Sequence, residues 1–391
     1  MIPARLTVES WRFLPHSYAI VNQFQCLELL KRSDLSLSHR DLPFYNASWQ
    51  PMTGLFDEVS EAALRTLPAP DAAPTDATLR IAFPYDLTPA NSRRTAVFAT
   101  AEFGAIPPRF LLGAPSLAKC SPELLLLTPS SWSRDGLLRG GARPEQVAVV
   151  PHGFDPTIFH PLSPEERDAL RARLGWGGFV FLNVGSMTGN KGLPLLLESF
   201  AAIADRHPEV RLVLKGLDPI YRSEQLLRDA LQKLGPAANL VASRLSYNGE
   251  ALSFAALAQL YQAADAYVAP YSGEGFNLPA LEALACGLPL LCTDGGATDD
   301  FTDPAFALRI ESQLHELPLE GGAVGCARIP IPSHLVHLME TLVEKPTRAT
   351  ELGQLGAAHA HAHFTWRQVV DQLLPLLTGT APAPSSGYAN C

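Results

Sequence analysis

The chain predicts an α/β protein made of two doubly wound domains, and three observations predict it. Apolar runs of strand length alternate with stretches of helical apolar spacing through both halves, the pattern of sheets covered by helices. Residues able to do chemistry stand just past the ends of those runs, at the edge where such sheets bind ligands. At 391 residues the chain is long for one domain and comfortable for two, each able to bury a core.

Composition narrows the class. The chain is 47% apolar and 18% charged, and no apolar run is long enough to span a bilayer. A net charge of −9 argues against bulk electrostatic binding to nucleic acid or anionic lipid, though not against a local basic patch. Near the start the longest apolar run, Tyr18 to Val21, is too short for a signal peptide, so a cytoplasmic protein is expected. Six cysteines lie scattered at 26, 120, 286, 292, 326 and 391 without CxxC spacing, which predicts small buried hydrophobes and neither metal nor disulfide.

In the first half, Arg5 to Leu14 reads as a strand, broken by Pro15-His16-Ser17 and followed by a helix carrying Ile20, Phe24, Leu27 and Leu30. Ser17 is the expected N-cap. The turn lies at the carboxyl edge of the first strand, so His16 and Ser17 are candidate ligand contacts as well as plain capping residues. Residues 35–74 read as irregular. Strands are expected at Leu79 to Tyr85 and Thr95 to Thr100, the second leading to Glu102, either a cleft carboxylate or a solvated loop acid. Leu124 to Thr128 precedes a helix to Arg139 and a Gly-Gly stop, and Val147 to Val150 runs into Pro151-His152-Gly153-Phe154-Asp155. A domain boundary falls at about residue 160.

In the second half, Phe179 to Val184 reads as a strand, followed by Gly185-Ser186-Met187-Thr188-Gly189-Asn190-Lys191-Gly192 and a helix with Leu196, Phe200 and Ile203 at helical spacing. Strand, glycine-bearing loop, lysine and helix is an arrangement in which backbone N–H groups and one ammonium hold a diphosphate. Further strands are expected at Val210 to Leu214, ending in Lys215-Gly216, at Leu240 to Leu245 and at Ala266 to Pro270. Helices are expected at Glu224 to Leu234 and Phe254 to Ala264, and later at Ser333 to Val343, Ala349 to His363 and through Leu377. His359, His361 and His363 do not share one helix face, so they read as solvated and not as metal ligands.

The stretch from Tyr271 to Cys292 carries the chemistry. A loop from Tyr271 to Leu278 feeds a helix starting at about Pro279 and ending at Cys286-Gly287, then a buried strand, Leu288 to Cys292. Glu274 precedes the helix and Glu282 stands in its first turn, with N–H groups between them. A helix N-terminus attracts phosphate, and flanking carboxylates suit hydroxyls on either side of it. A phosphate between two polyols is a nucleotide sugar.

Glu-x7-Glu, with Gly-Phe after the first Glu and Ala-x-x-x-Gly-x-Pro after the second, resembles the retaining glycosyltransferases of family 4. The resemblance covers about residues 124–377, is strongest over 179–292 and is weak before 120. It implies the GT-B architecture, two Rossmann-like domains facing a central cleft, with acceptor on residues 1–160 and the nucleotide sugar on 161–363. A helix over 364–377 would cross back to the first domain, and 378–391 would be a mobile tail. The implied reaction is retaining transfer of a hexosyl-type group from a nucleotide diphosphate sugar, without metal or cofactor. By the same resemblance Glu274 holds sugar hydroxyls, Glu282 the ribose diol, and Lys191 the departing diphosphate.

Gly185, Ser186, Gly275, Phe276, Asn277 and Leu278 would complete the donor site, and Leu245 to Tyr247 would read the base. Ser186 stands where family members commonly carry arginine, and Lys215 is the residue expected to supply the second cation. Residues 151–155 resemble the family's Pro-Asn-Gly-Val-Asp, with His152 in the asparagine place as a phosphate or structural contact. A Gly-Gly loop often found near position 16 is absent. His16, Ser17, Glu102 and His152 are therefore the acceptor-side candidates, with the acceptor open among glycan, lipid carrier and protein. Peripheral membrane contact and oligomeric state also stay open, and nucleic acid is not an expected partner. A nucleotide-sugar epimerase and a silent binding module are the competing readings.

Overall fold

The computed structural model describes residues 3–380, so the tail expected over 378–391 lies outside the described residues from 381 onward, as does Cys391. The chain forms two compact units: residues 1–153, 316–326 and the chain from Trp366 make unit 1, and residues 154–315 and 327–365 make unit 2.

Unit 1 begins with β1 (Ala4–Ser10), α1 (Ser17–Leu29), β2 (Leu35–Asp41), α2 (Glu58–Arg65), β3 (Thr75–Ile81) and β4 (Tyr85–Asp86). It continues with β5 (Ser92–Phe98), β6 (Leu111–Leu112), β7 (Leu125–Thr128), α3 (Ser131–Arg139) and β8 (Val147–Val149). Its six-stranded sheet has the order β2-β1-β3-β5-β7-β8 and is parallel throughout. Winding reverses between β1 and β3, so the loops after those two strands flank a crevice at the carboxyl edge.

Three sequence expectations change here. The first strand stops at Ser10, four residues early, because the chain turns at Phe13 with φ 59°. His16, not Ser17, caps α1: its ring Nδ1 accepts from the Tyr18 N–H, and Ser17 is the first helical residue. Residues 35–74, read as irregular, contain β2 and α2. β2 (LSLSHRD) is an edge strand that buries only Leu37 and His39, so it carries almost no apolar signal.

Unit 2 contains α4 (Pro164–Leu174), β9 (Phe179–Val184), α5 (Leu193–Ala204), β10 (Val210–Lys215), α6 (Ser223–Lys233), α7 (Ala238–Ala242) and β11 (Leu245–Asn248). α8 (Phe254–Ala263), β12 (Ala266–Ala269), α9 (Leu278–Ala285), β13 (Leu290–Thr293) and β14 (Ala307–Ile310) follow. After a hairpin of β15 (Ser312–Pro318) and β16 (Val324–Pro330) come α10 (Pro332–Glu344) and α11 (Pro346–His363). α4, which buries only Leu170 and so carries little apolar signal, starts with a Ser163–Glu166 capping box and stops at Gly175 with φ 67°. α12 (Trp366–Thr378) closes the described chain within unit 1, where Trp366 stacks on Phe24 at 5.7 Å.

The parallel sheet of unit 2 runs β11-β10-β9-β12-β13-β14. Counted from β9 this is 3-2-1-4-5-6, the dinucleotide-binding order, with the switch point between β9 and β12. Phe200, Leu197 and Ile203 of α5 are completely buried in its core together with Leu212, Leu214 and Val268. Each such side chain stabilises by roughly 1.5–3 kcal/mol. One strand moves from its expected place: residues 240–242 are helical, and the strand is Leu245–Asn248. The division between units falls at Gly153, where the sequence places it near 160, and residues 316–326 group with unit 1.

Gly192 joins the loop after β9 to α5. Its φ is +75°, and a Cβ there would collide with the Pro270 carbonyl at the end of β12. Left-handed backbone plus that collision should make Gly192→Ala destabilising by more than about 1 kcal/mol, read as a lowered urea midpoint.

Candidate active site

Parallel strands deliver their carboxyl ends to one edge, so the switch point of unit 2 brings the loop after β9 beside the loop after β12. Backbone and side-chain bonds sew the two loops together. The Ser272 N–H donates to Asn190 O at 2.8 Å, and Asn190 Nδ2 donates to Gly273 O at 2.9 Å. Thr188 Oγ1 donates to Asn190 Oδ1 at 2.8 Å and meets Ser186 Oγ at 2.8 Å. Met187, at φ 59°, turns its side chain into the core and leaves the polar side chains of this loop to one another.

This brace brings the two sequence-predicted catalytic residues together: Lys191 Nζ donates to Glu274 Oε1 at 2.7 Å. Glu274 has a side chain only 8% exposed, against 22% for Lys191, so burial strengthens the pair and makes either partner costly to remove. Gly185 stands at the end of β9, its N–H held by Lys215 O at 3.0 Å. A Cβ there would meet no atom closer than Lys191 Cγ, at 4.0 Å. Space for a ligand thus remains directly over the glycine.

Asn277 makes the turn into α9 at φ 76° and caps it, its side-chain oxygen accepting from Ala280 N–H at 3.3 Å. Leu278 and Pro279 occupy the first two helical positions. Phe276 is buried against Phe301, ring centroids 4.9 Å apart, which anchors the approach to the helix together with its neighbour Gly275. Because the helix begins at Leu278, Glu282 lies just beyond the first turn instead of inside it. Its carboxyl is buried and accepts from the Tyr261 hydroxyl at 2.8 Å. Burial pushes the Glu282 carboxyl up to about 8, with the tyrosine hydrogen bond opposing the rise.

Around β10 and β11 the geometry is different. Lys215, expected to supply a second cation, is buried and donates to the backbone carbonyls of Gly216 and Glu250. Burial lowers its ammonium to about 8 against the pull of Asp218 and Glu250. Leu245 packs against the unit's core, and Tyr247 donates its hydroxyl to Asp218 Oδ1 at 2.9 Å. The Tyr247–Asp218 pair, the Ser186–Thr188–Asn190 chain and Tyr261 were not found from sequence. Their partners are 29 residues apart for the first and 21 for the last, and no local pattern links positions so distant.

The acceptor-side candidates all lie in unit 1. His16 packs its ring against Trp11 and Trp49, both at 5.2 Å, beside the crevice between β1 and β3. Ser17 is exposed on α1, and Glu102 is exposed beyond β5, its backbone carbonyl accepting from the Trp132 indole at 3.0 Å. His152 is buried between Phe98 and Trp366, and burial lowers its imidazole to about 3, so the ring is neutral. Tyr18, Tyr85 and Thr100 form a hydroxyl cluster in the same unit, with 2.7 Å between the two phenols. In unit 2, His361 bonds Ala285 O at 3.0 Å while His359 and His363 pack ring to ring at 4.9 Å on another face of α11. All three make side-chain contacts, and His359 and His361 are half-buried instead of solvated. Among the described residues no helix is long and apolar enough to cross a membrane.

Two units, each built on a six-stranded parallel sheet with a switch point, define the class: the fold is that of the GT-B glycosyltransferases. Sucrose-phosphate synthase from Thermosynechococcus elongatus superposes with a TM-score of 0.67 at 17% identity, over 97% of this chain and 100% of that one. HepE of Anabaena, in complex with UDP and glucose, gives 0.67 at 14% identity over 95% and 99%. More narrowly, residues 178–308, which hold the whole constellation around Lys191, Glu274 and Glu282, match the family described as Glycosyl transferases group 1. Mannosylfructose-phosphate synthase of Agrobacterium fabrum is 28% identical over 62% of this chain and 50% of its own length. A D-inositol 3-phosphate glycosyltransferase of Nocardiopsis dassonvillei is 31% identical over 62% and 52%. The chain thus spans about half the length of these curated relatives.

A pH dependence follows from Glu282. With its folded value near 8 against an ordinary 4.5, the native state keeps a proton that the unfolded chain has lost between those values. Stability should therefore fall as pH rises through that window. Urea midpoints between about pH 5 and 8 should decline more steeply for the wild type than for Glu282→Gln. Parallel curves would show the carboxyl ionised throughout.

Proposed function

We propose that this chain is a retaining glycosyltransferase that moves a sugar from a nucleoside diphosphate sugar to a hydroxyl-bearing acceptor without a metal ion. One observation carries the reading: the Lys191–Glu274 ion pair at the β9/β12 switch point, beside the N-terminus of α9. The names of the relatives support sugar transfer, and HepE, a protein of like fold, holds UDP and UDP-glucose.

The pair is a site in waiting. When a donor enters, its diphosphate competes for the Lys191 ammonium, and Glu274 is released to accept hydrogen bonds from the sugar. As the glycosidic C–O bond breaks, negative charge grows on the departing phosphate, where Lys191 and the N-terminal turn of α9 oppose it. No side chain is assigned as a general base: the departing phosphate oxygen takes the acceptor's proton as the acceptor oxygen attacks the same face of the sugar. That route retains the anomeric configuration. Glu282 binds the nucleoside end, and Lys215 holds the loops after β10 and β11 against each other through the Gly216 and Glu250 carbonyls. His16, Ser17, Glu102 and His152 belong to the acceptor half of the reading, with the acceptor a glycan, a lipid carrier or a protein.

A panel of sugar nucleotides tests this, beginning with UDP sugars and with D-inositol 3-phosphate among the acceptors. Slow donor hydrolysis, or transfer with retained configuration by NMR, is expected. Isomerised donor would indicate an epimerase, and binding without turnover a silent module. At saturating donor, Lys191→Ala should lower kcat by about 10²–10³-fold, while Glu282→Ala should chiefly weaken nucleotide binding. Unchanged turnover in Lys191→Ala would remove the catalytic assignment.

A further inference from the structure

Glu282 sits inside α9 with three rotatable bonds between its carboxyl and the backbone, and something has to decide which oxygen faces the ligand space. The structure contains a device for it. The Tyr261 hydroxyl, on α8, donates to Glu282 Oε2 at 2.8 Å, and among the described residues Oε1 accepts no hydrogen bond. Tyr261 is fully buried. Its ring packs against Phe159 at 6.0 Å and Tyr267 at 5.9 Å. Tyr267 in turn donates its hydroxyl to Val184 O at 3.0 Å, the residue immediately before Gly185. Glu282 is thereby indexed, through two phenols in tilted contact, to the strand end that carries the glycine loop.

We propose that Tyr261 is the positioning residue for the nucleoside end of the donor site: its hydroxyl occupies Oε2 and presents Oε1 alone to a single ribose hydroxyl. This rests on the donor-binding reading of Glu282 given above. A carboxylate with both oxygens open grips a cis-diol through both, and loses similar affinity when either hydroxyl is removed. One whose second oxygen is held by a phenol depends on one hydroxyl far more than on the other. Tyr261 is not a catalytic residue; it acts on the ligand only through Glu282.

The test is nucleotide binding by calorimetry on the full chain. UDP, GDP and ADP are titrated separately, and the tightest is compared with its 2′-deoxy and 3′-deoxy forms. In the wild type one deoxy form should lose about tenfold more affinity than the other; equal losses would overturn the proposal without any variant. Tyr261→Phe keeps the ring and removes only the hydroxyl. It should weaken the parent nucleotide about fivefold and narrow the gap between the deoxy forms, with kcat at saturating donor within about twofold of wild type. Unchanged affinity and selectivity in Tyr261→Phe, alongside weakened binding in Glu282→Ala, would overturn the positioning role alone. Unweakened binding in Glu282→Ala would overturn the donor reading of Glu282 and this proposal with it.

Discussion

Everything at the candidate site depends on where the parallel sheet of unit 2 reverses its winding. Because β10 lies on one side of β9 and β12 on the other, the connections after β9 and β12 leave the same edge in opposite directions and cannot fill the space between them. Two short loops must line that space, and they are bound to each other by the Asn190 bridge and by Lys191 to Glu274. The glycines serve this constraint: Gly192 takes a left-handed backbone against Pro270, and Gly185 keeps the strand end bare.

Two buried carboxylates raise an electrostatic problem, and the fold settles each differently. Glu274 is matched by an ammonium at ion-pair distance, a contact a phosphate can exchange because Lys191 retains some access to solvent. Among the described residues no cation pairs with Glu282. The carboxyl is desolvated, its affinity for a proton is raised, and a phenol donates to it. One carboxylate is therefore held as a charge awaiting exchange and the other as a nearly neutral hydrogen-bonding group. Lys215 shows a third solution, a buried ammonium answered by backbone carbonyls, in which burial lowers its proton affinity.

Much of unit 2 was legible residue by residue. Its strands are largely buried on both faces, so β9, β10, β12 and β13 read as mostly apolar runs, interrupted in β10 by the exposed Arg211, and the helices between them show one apolar face. Asn277, Pro279 and Gly287 mark the limits of α9 through capping chemistry that needs no tertiary partner. Unit 1 was less legible because its outer elements are half-exposed. β2 pairs through its backbone with β1 while most of its side chains face solvent, and α2 buries only Leu64. The shift of β11 has the same origin: Leu240 and Val241 look like strand residues, yet they form the buried side of a short helix packed on α5.

The sequence by itself determined the fold class, the placing of Lys191 and Glu274 at strand ends, and the turn chemistry that starts α9. These follow from periodicity and local backbone preference, which act over a few residues. Only the tertiary structure decided which groups meet. That Lys191 reaches Glu274 across 83 residues, that Tyr261 rather than solvent answers Glu282, and that Lys215 spends its charge on Gly216 and Glu250 are consequences of strand order and burial. Such contacts are set by distance and desolvation in the folded chain, and neither quantity exists along a sequence.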